Sequence, residues 1–209
     1  EIYQHAQPDV TGRVTVPILW DKDRGVIVSN ESSEIIRMFN SAFEKITGNT
    51  LDFWPASLRA EIEAVNARTY PGLNNGVYRA GFATTQAAYS EAVAEVFETL
   101  DWLEDRLSRQ RYLAGSQATE ADWRVAPTLF RFDTVYHGHF KCSQAKLIEY
   151  PNLWAYAREL YQWPGVAETV HQDHIRRHYH ASHTSINPHR IIPTPPKQDW
   201  DAPHGRDAL

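Results

Sequence analysis

The distribution of β-branched residues limits what this chain can fold into more than any other feature of its sequence. They concentrate in two short runs near the start, VTVPIL at residues 14–19 and GVIV at residues 25–28. The segment between the runs, WDKDR, has the polar turn-forming residues of a hairpin. From Pro55 onward the apolar residues follow helical spacing instead. The sequence therefore predicts a small α/β piece followed by an all-helical region.

Helix starts can be placed from capping residues and prolines. Serine and acidic residues at 31–34 precede an apolar run, which predicts a helix start with acidic charge at its positive end. Pro55 predicts a helix to about Ala67, and Pro151 predicts another through Leu160. Apolar spacing predicts one long helix over 77–108, and a capping box at 119–122 opens a helix after it.

The predicted organisation is an α/β piece over residues 1–48, a linker near 48–52, and a helical domain over 53–209. The residues beyond about Ser185 are rich in proline, so we expect them to form an extended strap over the surface. Two strands and one helix cannot bury both faces of a sheet, so we also expect part of the α/β domain to precede Glu1.

Composition excludes several classes of protein. The net charge is −5, with 21 basic and 26 acidic residues intermixed, so no basic stripe offers a surface to nucleic acid. No run approaches the roughly 20 apolar residues of a membrane helix. Cys142 is the single cysteine, which rules out an intrachain disulfide and fits a reducing, cytoplasmic location.

Val16-Pro17 lies inside the first β-branched run, where proline cannot donate a hydrogen bond to a sheet. If the bond between them is cis, the backbone of Val16 turns outward and can pair with an extended peptide. The residues alone favour an ordinary trans proline at a strand edge, because only about 5–6% of such bonds are cis.

Glu31-Ser32 stands at the predicted start of the next helix. Free backbone N–H groups and a serine hydroxyl can hold a carboxylate there, and Glu31 can hold an ammonium group. Together they would suit the α-amino-acid end of a γ-glutamyl group. The alternative is that these residues only cap the helix.

Taken together, these two motifs resemble the glutathione site of thioredoxin-fold transferases. The whole chain resembles the glutathionyl-hydroquinone reductases, which are also called Xi-class, omega-like glutathione transferases. The strings that carry the resemblance are TGRVTVPILWDK at 11–22, NESSEII at 30–36, NGVYRAGFA at 75–83, HFKC at 139–142, YPNLW at 150–154, IRRHY at 175–179 and SH at 182–183.

The resemblance implies the C-terminal half of a thioredoxin-like domain followed by a transferase-type helical domain, in a homodimer. It implies glutathione as co-substrate and no metal. The implied reaction removes glutathione from an S-glutathionyl-hydroquinone, with a second glutathione released as the disulfide. The glutathione-binding residues would be Val16, Pro17, Glu31 and Ser32. Tyr78 and Tyr179 correspond to the family tyrosines beside the quinol ring; each considered alone could equally be a core residue.

The family nucleophile is a cysteine in a Cys-Pro-Trp-type motif, which this sequence lacks. It is expected upstream of Glu1. Cys142 lies between Lys141 and Ser143 in the helical region, and we interpret it as a packed residue rather than a substitute. On this interpretation the chain by itself performs no thiol chemistry of the family type.

Five histidines crowd one stretch: His171, His174, His178, His180 and His183. Helical histidine pairs can bind zinc, and His174 and His178 share a helix face. No cysteine accompanies them and no His-Glu-x-x-His pattern is present, so we interpret them as a solvated or hydrogen-bonded surface.

Two other functions remain open at this stage. One is an omega-type thiol transferase or dehydroascorbate reductase, which would share the glutathione residues but not the strings around Tyr78 and Tyr179. The other is a non-catalytic interaction module, in which the glutathione residues would have decayed. The intact Val16-Pro17 and Glu31-Ser32 pairs argue against such decay.

Overall fold

The computed structural model describes residues 1–209, and they form two compact units, Glu1–Pro55 and Ala56–Leu209. The linker predicted at 48–52 lies just before this boundary. Each unit has its own elements, and the second is entirely helical. No helix combines the length and the apolar character needed to cross a lipid bilayer.

The first unit is a hairpin with helices on either side of it in the chain. Strands β1 and β2 pair antiparallel, with Trp20 opposite Ile27. Asp21 shapes the turn, because its Oδ1 accepts from the N–H groups of Asp23 at 3.0 Å and Arg24 at 2.9 Å. The elements are α1 (Ile2–Ala6), β1 (Leu19–Asp21), β2 (Val26–Ser29), α2 (Ser32–Ser41) and α3 (Glu44–Thr47).

The hairpin was predicted correctly, but the first strand was placed too early. Residues 14–18 form no strand, and β1 begins only at Leu19. Pro17 has no N–H group to donate to a neighbouring strand, and Val16 is 88% exposed. The sheet contains only β1 and β2, so the β-branched residues before Leu19 are not paired in it. The Val16–Pro17 bond is cis. The trans bond favoured by the residues alone was therefore wrong, because a general frequency takes no account of the surrounding fold.

The second unit is built around its longest helix, α6, which packs against α5 and α8. Leu100, Leu103 and Leu107 of α6 are completely buried in this core. Single π-helical turns follow α4 and α7, at Tyr70–Asn74 and Phe132–Tyr136. The helices are α4 (Arg59–Thr69), α5 (Gly76–Gly81), α6 (Gln86–Leu107), α7 (Glu120–Arg131), α8 (Pro151–Tyr161) and α9 (Gln172–Ser182).

The single helix predicted over 77–108 is in fact two helices, α5 and α6. The apolar spacing continues across the break, which is why periodicity did not reveal it. Thr85 adopts an extended backbone, and its hydroxyl accepts from the N–H of Ala88 at 3.2 Å. A new helix therefore begins at Gln86 with its own N-cap.

The predicted capping box at the start of α7 is present and extends into the core. Asp122 Oδ2 accepts from the N–H of Thr119 at 2.7 Å and from its hydroxyl at 2.9 Å. The other oxygen accepts from the Leu113 N–H at 2.8 Å and the Tyr156 hydroxyl at 2.7 Å. Asp122 is fully buried, so these four donors compensate for the loss of its hydration.

The chain after Ser182 contains no further helix or strand, as expected for a strap. It is nevertheless anchored at two points. Trp200 packs its ring against Trp154, with centroids 4.6 Å apart, and against Phe130 at 5.6 Å. Arg206 is 2% exposed and reaches the core of the helical unit.

Candidate functional site

The two motifs predicted to bind glutathione are held side by side in the first unit. Asn30, which precedes Glu31, donates from its side chain to the hydroxyl of Thr15 at 3.1 Å. Thr15 precedes Val16, and its carbonyl accepts from the hydroxyl of Tyr3 at 2.9 Å. These bonds fix the Val16-Pro17 segment next to the start of α2.

The start of α2 is open to solvent and has no side-chain cap. Glu31 occupies the N-cap position and makes no capping bond, and both Glu31 and Ser32 are exposed. The capping role proposed as the alternative is therefore not observed. Ser29 instead accepts from the N–H of Glu31 at 3.1 Å and donates to Glu34 at 2.8 Å.

This geometry suits the charges of an α-amino acid. The first N–H groups of a helix lack intrahelical partners, and the helix dipole is positive at that end, so they attract a carboxylate. The exposed carboxylate of Glu31 and hydroxyl of Ser32 stand at the same end. One supplies a partner for an ammonium group and the other a hydrogen bond to a carboxylate.

In the second unit, the structure brings Tyr78 and Tyr179 together, although they are 101 residues apart. Tyr78 lies on α5 and Tyr179 on α9, and their hydroxyl oxygens share a short hydrogen bond. Tyr78 is partly exposed, whereas Tyr179 is 7% exposed. The pair thus joins a partly exposed residue to a buried one.

A third tyrosine, Tyr136, completes the cluster and was missed from the sequence. It ends the π turn after α7, and its hydroxyl lies 3.1 Å from that of Tyr179. Burial raises the pKa of Tyr179 to about 12. Burial, with Tyr179 and Tyr78 close by, raises the pKa of Tyr136 as well. A tyrosine hydroxyl already keeps its proton at neutral pH, and these shifts extend the protonated range of both groups to higher pH.

An aromatic wall supports the tyrosine cluster. The ring of Phe140 stacks on Tyr136 with centroids 5.5 Å apart and meets Tyr78 edge-on at 5.2 Å. Gly81 makes this packing feasible, because a Cβ there would lie 2.2 Å from the ring atoms of Phe140. Phe82, exposed at 46%, extends the wall outward.

Three histidines pack behind this wall. Nε2 of His139 lies 3.2 Å from Nδ1 of His183, and the rings of His139 and His180 are 4.7 Å apart. Burial, followed by the charges of His180 and His183, lowers the pKa of His139 to about 4. No three His, Cys, Asp or Glu side chains are arranged as metal ligands. His171 and His174 lie earlier on the chain, with rings 5.2 Å apart.

Cys142 is a packed residue, as interpreted from the sequence. It is completely buried, and burial raises the pKa of its thiol to about 12. A thiol that remains protonated and inaccessible cannot act as a nucleophile at neutral pH.

Comparison with known proteins places these features in context. Residues 86–159 match the family model "Glutathione S-transferase, C-terminal domain". The glutathionyl-hydroquinone reductase YqjG of Escherichia coli K12 is 55% identical over 207 residues, which are 99% of this chain and 63% of that protein. The chain therefore spans less than two thirds of the length of this curated relative.

Solved structures agree with this comparison. The glutathione-bound structure of YqjG, a glutathione transferase homolog, superposes on this chain with a TM-score of 0.96. The match covers 99% of this chain and 67% of the YqjG chain. Glutathione transferase Xi 1 of Trametes versicolor is 48% identical, with a TM-score of 0.90, over 93% of this chain and 68% of the other.

Proposed function

Because this chain belongs to the Xi class of glutathione transferases, we propose that its protein catalyses glutathione-dependent reductive deglutathionylation of S-glutathionyl-hydroquinones. The similarity to a glutathionyl-hydroquinone reductase supports the reaction, and the glutathione-bound structure of that relative supports the co-substrate. The hydroxyl cluster of Tyr78 and Tyr179 is the observation in this chain that carries the proposal.

The reaction proceeds in two thiol exchanges. A cysteine thiolate attacks the glutathionyl sulfur, the carbon–sulfur bond breaks, and the ring carbon takes a proton to give the hydroquinone. The enzyme is left as a mixed disulfide with glutathione. A second glutathione thiolate attacks this disulfide, which releases glutathione disulfide and restores the enzyme thiol. In this proposal the buried Cys142 is not the nucleophile, and the catalytic cysteine lies in a part of the protein other than residues 1–209.

Residues 1–48 supply the glutathione-binding part in this proposal. The backbone of Val16, set by Pro17, pairs with the extended tripeptide. Glu31 binds the α-ammonium group of the γ-glutamyl end, while Ser32 and the N–H groups of α2 bind its carboxylate. The absence of a side-chain cap on α2 supports this role, because it leaves these groups available.

Residues 53–209 supply the ring-binding part. When the ring binds, the hydroxyls of Tyr78 and Tyr179 exchange their mutual hydrogen bond for hydrogen bonds donated to the quinol oxygens. Phe82, exposed at 46%, offers an apolar face for the ring, and the completely buried Phe140 supports it from within the unit. We place the protein in the cytoplasm as a homodimer.

The decisive experiment measures hydroquinone and glutathione disulfide formed by the full-length protein from glutathione and a glutathionyl-hydroquinone. We expect Tyr78→Phe and Tyr179→Phe each to lower kcat/KM about tenfold or more, the value of one or two lost hydrogen bonds in the transition state. Tyr161→Phe is the matched control, because the Tyr161 hydroxyl has no hydrogen-bond partner and its ring packs on Trp200. Failure to form hydroquinone, with glutathione still bound, would refute the proposed reaction.

A further inference from the structure

His183 connects the exposed part of the aromatic wall to the tyrosine cluster. Its ring meets Phe82 edge-on, with centroids 5.1 Å apart, and meets Tyr179 edge-on at 5.5 Å. It stacks on Phe140 with centroids 5.8 Å apart and planes 14° from parallel. His183 is half-buried, whereas Phe140 is completely buried. The imidazole ring is therefore fixed beside two groups that bind the quinol ring in the proposed function, Phe82 and Tyr179.

The two ring nitrogens of His183 have different surroundings. Nδ1 lies 3.2 Å from Nε2 of His139, and these two nitrogens share a hydrogen bond. Nε2 of His183 has no hydrogen-bond partner in the chain and is not a buried atom. One nitrogen thus orients the ring while the other is open, which is the arrangement of a histidine that transfers protons.

His183 and its partner His139 are both neutral at neutral pH. Burial, followed by the charges of His178 and His180, lowers the pKa of His183. Burial is also the main reason why the pKa of His139 is lowered to about 4. A neutral His139 can accept from the Nδ1–H of His183, and in this tautomer the open Nε2 of His183 carries the lone pair. The open nitrogen can then act as a base.

The proposed reaction requires a proton on the ring carbon that carries sulfur. If the carbon–sulfur bond of the aromatic ring broke directly, its electron pair would remain on that carbon as an aryl anion, which is a very strong base. Protonation of the carbon beforehand avoids this anion, because the ring becomes a ketone and the electron pair can move to the ketone oxygen. A group beside the ring must therefore take a proton from the quinol hydroxyl and give it to the neighbouring carbon.

We propose that, within the reaction proposed above, His183 is the catalytic residue that moves this proton. Its Nε2 takes the proton of the quinol hydroxyl next to the sulfur and gives it to the sulfur-bearing carbon, which forms the ketone. The cysteine thiolate then attacks the glutathionyl sulfur, an S–S bond forms, and the carbon–sulfur electron pair restores the aromatic ring as a phenolate. Tyr78 and Tyr179 stabilise the phenolate oxygen, which takes a proton from solvent. The conjugate, the thiolate and one proton thus yield the hydroquinone and the mixed disulfide.

Two substrates of the full-length protein separate this role from a structural one. A glutathionyl-hydroquinone needs the carbon to be protonated, whereas the mixed disulfide of glutathione and 2-mercaptoethanol releases a thiolate and needs no such step. His183→Asn keeps a polar group near the position of Nδ1 and removes Nε2. We expect it to lower the single-turnover rate of hydroquinone formation about 100-fold or more, the usual value of general acid–base catalysis. Affinity for the conjugate and turnover of the disulfide should change little.

His174→Gln is the matched control, because His174 is an exposed histidine of α9 whose ring contacts His171 rather than the tyrosine cluster. His183→Gln is measured beside His183→Asn in case that variant does not fold, since its amide cannot take up a proton either. Hydroquinone formation at the wild-type rate in a folded His183 variant would overturn the role of His183, and so would an equal loss with both substrates. A wild-type protein that acts on the disulfide but forms no hydroquinone would instead refute the proposed reaction itself.

Discussion

The hydroxyl of Tyr136 lies 3.1 Å from that of Tyr179, and Tyr136 is only 2% exposed. Tyr179 therefore shares a hydrogen bond with a residue that is itself closed to solvent. Tyr78 packs beside both, with its ring centroid 5.9 Å from that of Tyr136 and 6.3 Å from that of Tyr179, and it is partly exposed. We expect the hydrogen bond between Tyr136 and Tyr179 to fix the orientation of the Tyr179 hydroxyl. Tyr136 is thus a positioning residue rather than one that touches the ring.

Tyr136→Phe tests this role, because it keeps the ring and removes only the hydroxyl. We expect a loss of about 1 kcal/mol in stability, the typical net value of one hydrogen bond, and a similar cost in kcat/KM for the full-length protein. The effect on kcat/KM should be smaller than that of Tyr179→Phe. An equal effect would show that Tyr136 contacts the ring directly.

Glutathione binding by the first unit can be measured on this chain by calorimetry. Glu31→Gln removes the partner proposed for the ammonium group, and Ser32→Ala removes a donor to the carboxylate. Each should weaken glutathione binding about tenfold, as expected for a lost charge-assisted hydrogen bond. Glu44→Gln is the control, because Glu44 is an exposed carboxylate in the first turn of α3. Unchanged affinity in both test variants would exclude the start of α2 as the binding site.

Much of the fold could be predicted because its signals are local. The hairpin turn, the start of α7 at its capping box and the start of α8 at Pro151 each depend on residues a few positions apart. The break between α5 and α6 was missed although one of its causes is local, the cap that Thr85 forms with the N–H of Ala88. The other is the contact of Gly81 with Phe140, which lies 59 residues further along the chain.

The candidate site was only partly predictable for the same reason. Tyr78 and Tyr179 were identified from family strings, whereas Tyr136 lies in a π turn that periodicity does not reveal. Its hydroxyl matters only because three distant segments converge on one point. The tail was predicted to be an extended strap, and its prolines gave no indication that Arg206 would be buried.

The contact between Gly81 and Phe140 gives a stability prediction. A Cβ at Gly81 would lie 2.2 Å from Phe140, so Gly81→Ala must displace the ring that supports Tyr78 and Tyr136. We expect a loss of roughly 1–3 kcal/mol in the free energy of unfolding, the usual cost of overpacking. Gly138→Ala is the matched control, because no atom lies within 4 Å of its Cβ position. Phe140→Leu combined with Gly81→Ala should recover part of the loss. Equal stability of the Gly81→Ala and Gly138→Ala variants would contradict the packing argument.

Arg206 anchors the C-terminal tail, because it pairs with Glu159 at 3.1 Å and both side chains are almost fully buried, at 3% and 4% exposure. It also donates to the carbonyls of Leu107 and Gln110. Arg206→Met should cost about 3 kcal/mol, since Glu159 keeps only Arg111 and Tyr112 as partners. Urea unfolding measures this loss. Arg109→Gln, at the exposed Asp105 pair, should change stability little; a similar small change for Arg206→Met would mean that the tail is not an anchor.

His139 gives the stability of the helical unit a dependence on pH. It is 7% exposed, and burial, followed by the charges of His180, His183 and Lys141, lowers its pKa from 6.5 to about 4. Between pH 6.5 and about pH 4, His139 is therefore protonated in the unfolded chain and neutral in the folded protein. Stability is complete above about pH 6.5 and falls as the pH drops toward 4, by at most on the order of 3 kcal/mol from this residue. His139→Gln should flatten the pH dependence of urea unfolding in this window. His189→Gln, at an exposed tail histidine, should leave the slope unchanged; an equal slope in wild type and His139→Gln would show that His139 does not remain neutral in the fold.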